Sequence, residues 1–289
     1  MDLSLLLDPK FLALITAVSF GISPPALKLA FRHGGETNTG MIIGLVVAIP
    51  LNLALVPFIN PGWELLTPVA WVAFILGGLA GAAIGRRFIY QSIDLLGPSR
   101  ASVIRGSSPV LTAFLAVLLY QEEVSPLRWA AILAIVGGAA LVSYAPGSGA
   151  RGWLAIGVLY ALGAAASYGI RPIFIKLALE QADAPLAGSI IGAFAALIYS
   201  FAMDRPKVGL AKIDKSFLFF LFAGITQTTA LLALTFGLSH GDVSLVYSLA
   251  SSAPLFTLLF TAILLRGVDR VTPQLVLGSV AVVAGVIYL

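Results

Sequence analysis

Apolar residues run through this chain in long blocks and not in alternation. Ten blocks stand out, at 11–31, 40–58, 69–93, 99–119, 127–144, 153–179, 185–203, 216–238, 243–265 and 273–289. A helix needs about 20 such residues to cross the hydrocarbon core of a bilayer, and each block is near that length. The breaks carry turn and breaker residues: Asn60-Pro61-Gly62, Leu96-Gly97-Pro98, Gln121-Glu122-Glu123, Pro146-Gly147-Ser148-Gly149 and Asp204-Arg205-Pro206. The fold class this predicts is an all-α polytopic membrane protein with ten transmembrane helices. The first block has no basic segment before it and no small-residue cleavage site after it, so it reads as a retained span and not a signal peptide.

The blocks repeat. Ser19-Phe20-Gly21-Ile22-Ser23-Pro24-Pro25-Ala26-Leu27-Lys28-Leu29-Ala30 returns 148 residues later as Ser167-Tyr168-Gly169-Ile170-Arg171-Pro172-Ile173-Phe174-Ile175-Lys176-Leu177-Ala178, with seven of twelve positions identical. Further on, Ser108-Pro109-Val110-Leu111-Thr112 stands opposite Ala253-Pro254-Leu255-Phe256-Thr257, Val124-Ser125-Pro126 opposite Val271-Thr272-Pro273, and Gly138 opposite Gly285. The repeat is therefore five helices long, 1–146 and 151–289, joined by a hinge at 145–152. Five is odd, so the second copy enters the membrane from the other side: two inverted five-helix repeats. Loop charge agrees with the inversion. The loop at 59–68 has no Lys or Arg, whereas its counterpart at 204–215 has Arg205, Lys207, Lys212 and Lys215. One face collects those four with Arg32, Arg100, Arg151, Arg266 and Arg270; the positive-inside rule makes it cytoplasmic and puts both termini outside.

Composition reinforces the pattern. The chain has 289 residues, 59% hydrophobic and 10% charged, against about a quarter charged in soluble proteins. Its mean hydropathy is +1.01. The net charge of +4 reports membrane topology, and no nucleic-acid partner is expected. There is no cysteine and there are two histidines, His33 and His240, which leaves no material for disulfides, thiolate chemistry or a histidine metal centre. No cofactor and no metal is expected.

Candidate chemistry begins with an absence. None of the ten blocks contains Asp or Glu, so the embedded carboxylate of a proton-coupled carrier is missing; Asp94 and Asp242, at block margins, are the nearest substitutes. Cations do enter the blocks: Lys28, Arg86, Arg87, Arg105, Arg171 and Lys176. A central Arg costs about 2.5–3.5 kcal/mol on insertion scales and needs a partner, a cavity or a route to the interface. Lys28 and Lys176 lie near helix ends and can snorkel. For Arg86 and Arg87 the readings are a pair with Asp94 or a basic vestibule that attracts an anion; for Arg105 they are a cap on carbonyls freed by Pro109 or that same vestibule.

Polar stripes at helical spacing suggest a path. Ser102, Arg105, Ser108 and Thr112 share one face; Ser244, Tyr247, Ser248, Ser251 and Ser252 share the matching one. Tyr90-Gln91 and Thr226-Gln227-Thr228-Thr229 add hydrogen-bonding groups, unless the hydroxyls bond only their own helix. Pro24, Pro109, Pro172 and Pro254 fall inside blocks as two symmetric pairs, the expected hinges or kinks around a central site. Gly77, Gly81 and Gly85 form a bare helix face for a neighbour, and Gly137-Gly138 and Gly278/Gly285 do the same in the last helix of each half. The substrate-binding candidates are Phe20, Ser23, Arg87, Tyr90, Gln91, Arg105, Ser108, Tyr168, Arg171, Gln227, Tyr247 and Ser251.

Ten spans in two inverted halves, with Ser99-Arg100-Ala101-Ser102…Ser108-Pro109 before Glu122-Glu123 and Val243-Ser244-Leu245-Val246…Ala253-Pro254-Leu255-Phe256 in the second half, resemble the EamA-type carriers of the drug/metabolite transporter superfamily over nearly the whole chain. The resemblance implies a small-molecule transporter, often an exporter of amino acids or related metabolites, with a cavity lined by helices one, three, four, six, eight and nine. The second half departs from the family's usual Gly-Glu at the end of its ninth helix, reading Leu265-Arg266-Gly267-Val268-Asp269. The expected function is a secondary transporter, exporting a small polar organic metabolite that is amino-acid-like or anionic, in a prokaryotic inner or plasma membrane. Its partners are the lipid bilayer and the small-molecule substrate, and no oligomer is required. The alternatives are a flippase or transporter of an anionic, phosphorylated lipid and, further off, an intramembrane enzyme, for which the spans hold no ordinary general base.

Overall fold

Side-chain caps and prolines start most of the helices. In the computed structural model, α1 (Pro9–Arg32) begins at Asp8, whose carboxylate accepts from the Lys10 amide at 2.7 Å. α3 (Pro68–Leu96) begins at Thr67, α8 (Lys215–His240) at Asp214 and α10 (Pro273–Ile287) at Thr272, each side chain accepting from an amide of the first turn. Outside the membrane, the Phe217 amide and the Ser216 hydroxyl hold the Asp214 carboxyl below its usual range. The other helices are α2 (Thr37–Leu53), α4 (Pro98–Arg105, resuming at Ser108), α5 (Pro126–Ser143), α6 (Arg151–Gln181), α7 (Pro185–Asp204) and α9 (Ala253–Leu264). The structure describes residues 8–111, 114–115, 125–143, 151–204, 214–241, 246, 249–250, 252–265 and 272–288. Within these, α1, α3, α6, α7 and α8 are long and apolar enough to cross a membrane; α2, α5, α9 and α10 are shorter apolar helices. Leu133, Leu159, Ile198 and Leu277 stand exposed on outer faces, as suits side chains whose solvent is lipid.

Two helices depart from regular winding. The middle of α3, Leu79–Gly85, is a π-helix. α4 breaks into a turn at Gly106-Ser107, and a matching turn at Ser252 precedes α9. Pro109 and Pro254 therefore do not kink continuous helices as expected. Each sits at the start of a second helical segment, where its missing amide costs nothing. Pro24 and Pro172 do lie inside α1 and α6.

Packing reveals a two-fold relation between the repeats. α8 lies on α2 with Gly224 against Gly44 and Phe220 over Gly40; α3 lies on α7 with Gly78 against Gly192 and Phe74 over Gly188. The first set becomes the second when each residue is replaced by its repeat mate. α5 crosses α10 with Gly138 against Gly278 and Gly285 against Ala131. Residue numbers rise along one helix as they fall along the other, so these two repeat mates are antiparallel. A helix and its mate point in opposite directions only if the two-fold lies across the helix axes, which is the inverted arrangement. Gly137, expected at this contact, faces open space.

The repeats are not two separately packed bodies. α1 packs chiefly on α8 and α9, and α2 on α8; in mirror fashion, α6 packs on α3 and α4, and α7 on α3. Two spatial lobes result, α1–α2–α8–α9 and α6–α7–α3–α4, each with two helices from each repeat. The α5–α10 pair adjoins α4 and α9.

Candidate functional site

The repeated Ser-aromatic-Gly-Ile stretch sits where the lobes meet. Gly21 lies against Phe256 and the Ala253 carbonyl of α9, just past the break at Ser252; Gly169 lies against Leu111 and the Ser108 carbonyl, just past the break in α4. A side chain at either glycine would hold the broken helix away. At the breaks, Ser107 and Ser252 donate to the carbonyls of Ile104 and Leu249, both at 2.7 Å, so each turn satisfies a carbonyl that a continuous helix would have used.

Next to those glycines stand Phe20 and Tyr168, repeat mates with ring centroids 6.5 Å apart and edge to face. The Arg105 guanidinium lies 5.1 Å from the Phe20 ring and 5.2 Å from the Tyr168 ring. Both distances are within cation–π range. Phe20 belongs to one lobe, Tyr168 and Arg105 to the other, so the clamp spans the lobe boundary. A cavity of about 40 Å³ opens beside it, lined by Ser108, Arg171, Ala250 and Pro254 as well as the clamp. A smaller one of about 20 Å³ reaches Ser23, Pro24 and Gln227. These hold a few waters and no metabolite.

Equivalent corners carry different side chains. Where α1 meets α8, Gln227 donates to the Ser23 hydroxyl at 2.8 Å and accepts from the Tyr90 hydroxyl at 3.3 Å. Where α6 meets α3, the mates of Ser23 and Gln227 are Arg171 and Gly81. Arg171 folds across the bare face of Gly81, where a Cβ would collide with its Cδ, and donates to the Thr235 hydroxyl at 3.4 Å. Gly77 and Gly85, one turn to either side, seat Ile175 and Ser167 of the same helix. All three glycines of the stripe face α6 as the small-residue reading predicts, but Gly81 also makes room for a cation.

A second cavity of about 40 Å³ lies between α2, α3, α7 and α8. α3 lines it with Gly78, Ala82 and Arg86, in steps of four, and Arg171 enters from α6. Arg86 is 1% exposed, and its Nη1 lies by the bare face of Gly44. Two turns further along α2, Asn52 Oδ1, on the same cavity as Ser189, is a buried acceptor without a partner.

Seven of the sequence candidates, Phe20, Ser23, Arg105, Ser108, Tyr168, Arg171 and Gln227, line the two central cavities, and Tyr90 joins through Gln227. Arg87 and Gln91 are half-buried and line none of these cavities; the inward arginine is Arg86. Tyr247 and Ser251, with Thr112, Ser244, Ser248, Asp242 and Glu122-Glu123, lie outside the described residues. The structure gives Asp94 to Lys28, whose Nζ is 4.0 Å from its carboxylate and donates to its carbonyl at 2.6 Å. Lys28 thus links the two lobes, while its mate Lys176 turns to Glu180 on its own helix. Thr226, Thr228 and Thr229 bond carbonyls of their own helix, leaving Gln227 as the member of that run that reaches across. The binding candidates read from the sequence left out Arg86 and Thr235, which line the second cavity, and Gly81, which seats Arg171; for Gly81, the swap of Ser23 and Gln227 for Arg171 and Gly81 between mates was the available signal.

Comparison with known proteins agrees with this architecture. A solved crystal structure, described only as that of a protein, aligns with 97% of this chain and 94% of its own at a TM-score of 0.59 and 22% identity, which is a likeness of fold. It is one of 24 structurally matching chains, whereas no curated protein matches. The EamA-like transporter family matches twice, over residues 10–144 and 155–289, the two repeats seen in the packing. The chain belongs to the EamA-like transporter family, within the drug/metabolite transporter superfamily, and is a multi-pass integral membrane transporter.

Proposed function

We propose that the protein is a secondary transporter that exports a small polar organic metabolite bearing a carboxylate or phosphate. The observation that carries this reading is the Arg105 clamp between Phe20 and Tyr168, with Arg171 on the same cavity. Among the described residues no Asp or Glu lines that cavity, so it offers positive charge, aromatic faces and hydroxyls. An anionic group meets two guanidiniums there, whereas a lone ammonium is repelled by both and finds the aromatic faces already covered by Arg105.

Alternating access follows the spatial lobes and not the sequence halves. The central contacts cross the lobe boundary: Arg105 on Phe20, Tyr90 to Gln227, Arg171 to Thr235, and Lys28 to Asp94. The cavities are too small for a metabolite in this closed form, so entry requires the lobes to part and these contacts to break. The lipid-flipping alternative calls for arginines at a lateral opening. The large lateral groove, about 830 Å³ between α3 and α7, is lined among the described residues by Trp63, Trp71, Phe194, Tyr199 and aliphatic side chains, without Arg, and Arg86 is buried, so the geometry favours the soluble metabolite.

Flux into and out of proteoliposomes tests the reading. Candidate acids are screened by competition, then measured with Arg105→Ala and Arg171→Ala. The expected result is transport by the wild type and loss in both variants. Transport of cations only, or undiminished transport of an acid by both variants, would overturn it.

A further inference from the structure

Arg86 is the largest of the fully enclosed side chains among the described residues, and a guanidinium does not surrender its proton at any physiological pH. Its Nε and Nη1 are shielded from solvent and have no hydrogen-bond partner. It forms no ion pair with a described carboxylate; Asp94, eight residues on, is held by Lys28. A desolvated, unpaired cation is among the least favourable arrangements inside a protein. Here two independent features preserve it. Gly44 supplies the bare backbone beside Nη1, where a Cβ would come within 3.1 Å, and a cavity opens at the guanidinium. Arg171, itself 6% exposed, lines that cavity too, which doubles the positive charge without a described acid on its walls.

We propose that this cavity between α2, α3, α7 and α8 is a second anion site, in which Arg86 is the principal ligand and Arg171 the link to the Arg105 clamp. Its occupant is one small oxyanion, a carboxylate or phosphate group. Nε and an Nη of one guanidinium present two parallel donors to such a group. The group arrives either as a free ion or as the second acidic group of a transported molecule, because Arg171 lines both this cavity and the clamp's. The site stands apart from the transport reading: anion binding at Arg86 is measurable on protein that moves nothing.

The test is thermal unfolding of the purified full-length protein, followed by its own tryptophan fluorescence in sodium chloride and in equal ionic strengths of sodium acetate, phosphate and succinate. Wild type is expected to melt several degrees higher in at least one oxyanion than in chloride. Arg86→Gln is expected to lose that increment while melting no lower than wild type in chloride, since it removes an unpaired charge. Arg32→Gln, at an exposed helix end, keeps the increment. Arg86→Lys retains the charge but not the fork, and needs about tenfold more anion for half the effect; it serves if the Gln variant does not fold. Succinate acting well below the acetate concentration, and losing that advantage in Arg105→Gln, identifies a diacid spanning both cavities. Equal potency of acetate and succinate, indifferent to Arg105→Gln, identifies a free ion. No increment over chloride, an increment that survives in Arg86→Gln, or an unchanged half-effect concentration in Arg86→Lys overturns the site.

Discussion

The corner where α1 meets α8 and the corner where α6 meets α3 have the same backbone arrangement and opposite chemistry. The first is neutral and closed by hydrogen bonds, Ser23 to Gln227 to Tyr90. The second is cationic, with Arg171 laid over Gly81. The helices beneath them differ as well. From Phe74 to the capping Gly97, α3 takes two residues more than α8 takes from Phe220 to the capping Gly241. The π-helix at Leu79–Gly85 absorbs residues without ending the helix. α8 has no counterpart and carries no charge between Lys215 and His240. Duplication supplies a symmetric frame, and the added residues, the Arg and the Gly supply the asymmetry that one asymmetric ligand requires.

Making the corners alike is the strongest test. Gly81→Gln with Arg171→Ser copies the first corner onto the second. The protein should fold, while affinity for an acidic substrate falls by about 2–3 kcal/mol, on the order of 30- to 150-fold in competition flux. Wild-type affinity would show that the asymmetry does not serve binding. Next comes Gly21→Val, which forces α9 off α1 at Phe256; overpacking there should cost about 1–3 kcal/mol of stability, read as a lowered melting temperature, and Gly169→Val should match it if the frame is symmetric. Gln227→Leu strands the buried hydroxyls of Tyr90 and Ser23, at a cost of about 1–3 kcal/mol, whereas Thr229→Val, which loses only a bond within its helix, should move the melting temperature far less. The smallest effect belongs to Lys28→Met. Its partner is half-exposed, so stability should change by less than about 1 kcal/mol; Lys176→Met, lacking a contact across the lobes, should leave flux unaltered even where Lys28→Met alters it.

The frame was legible in the chain because its signals are local and periodic. Block length set the helices, the 148-residue echo set the repeat, and an odd helix number required inversion. Phe20, Tyr168, Arg105 and Arg171 were legible as polar or aromatic groups in mated, proline-bearing helices, and Gln227 as an amide within an apolar block. The wrapping of α1 onto α8 was not, because periodicity says which face of a helix is buried and never which helix buries it. Arg86 and Arg87 show a subtler limit. Neighbours on a helix point about 100° apart, so choosing between them needs the phase of the helix. The π-turns just before Arg86 shift that phase, and a 3.6-residue count across them misplaces every later side chain. Pro109 and Pro254 misled for a related reason: a proline restarting a helix looks the same in sequence as one bending it.

The interleaving of the lobes has a consequence for how the chain is made. α1 finds its main partner only when α8 emerges, more than 180 residues later. At ordinary synthesis rates that is a wait of roughly 10–40 s. Throughout it, Ser23 and Lys28 lie in the bilayer without the helix that shelters the first of them, and Arg86 lacks the α8 wall of its cavity. The first five helices are thus an unfinished surface awaiting its complement. Expressed alone, they should be cleared by quality-control proteases, and expressed with the second five from a separate gene, they should be rescued.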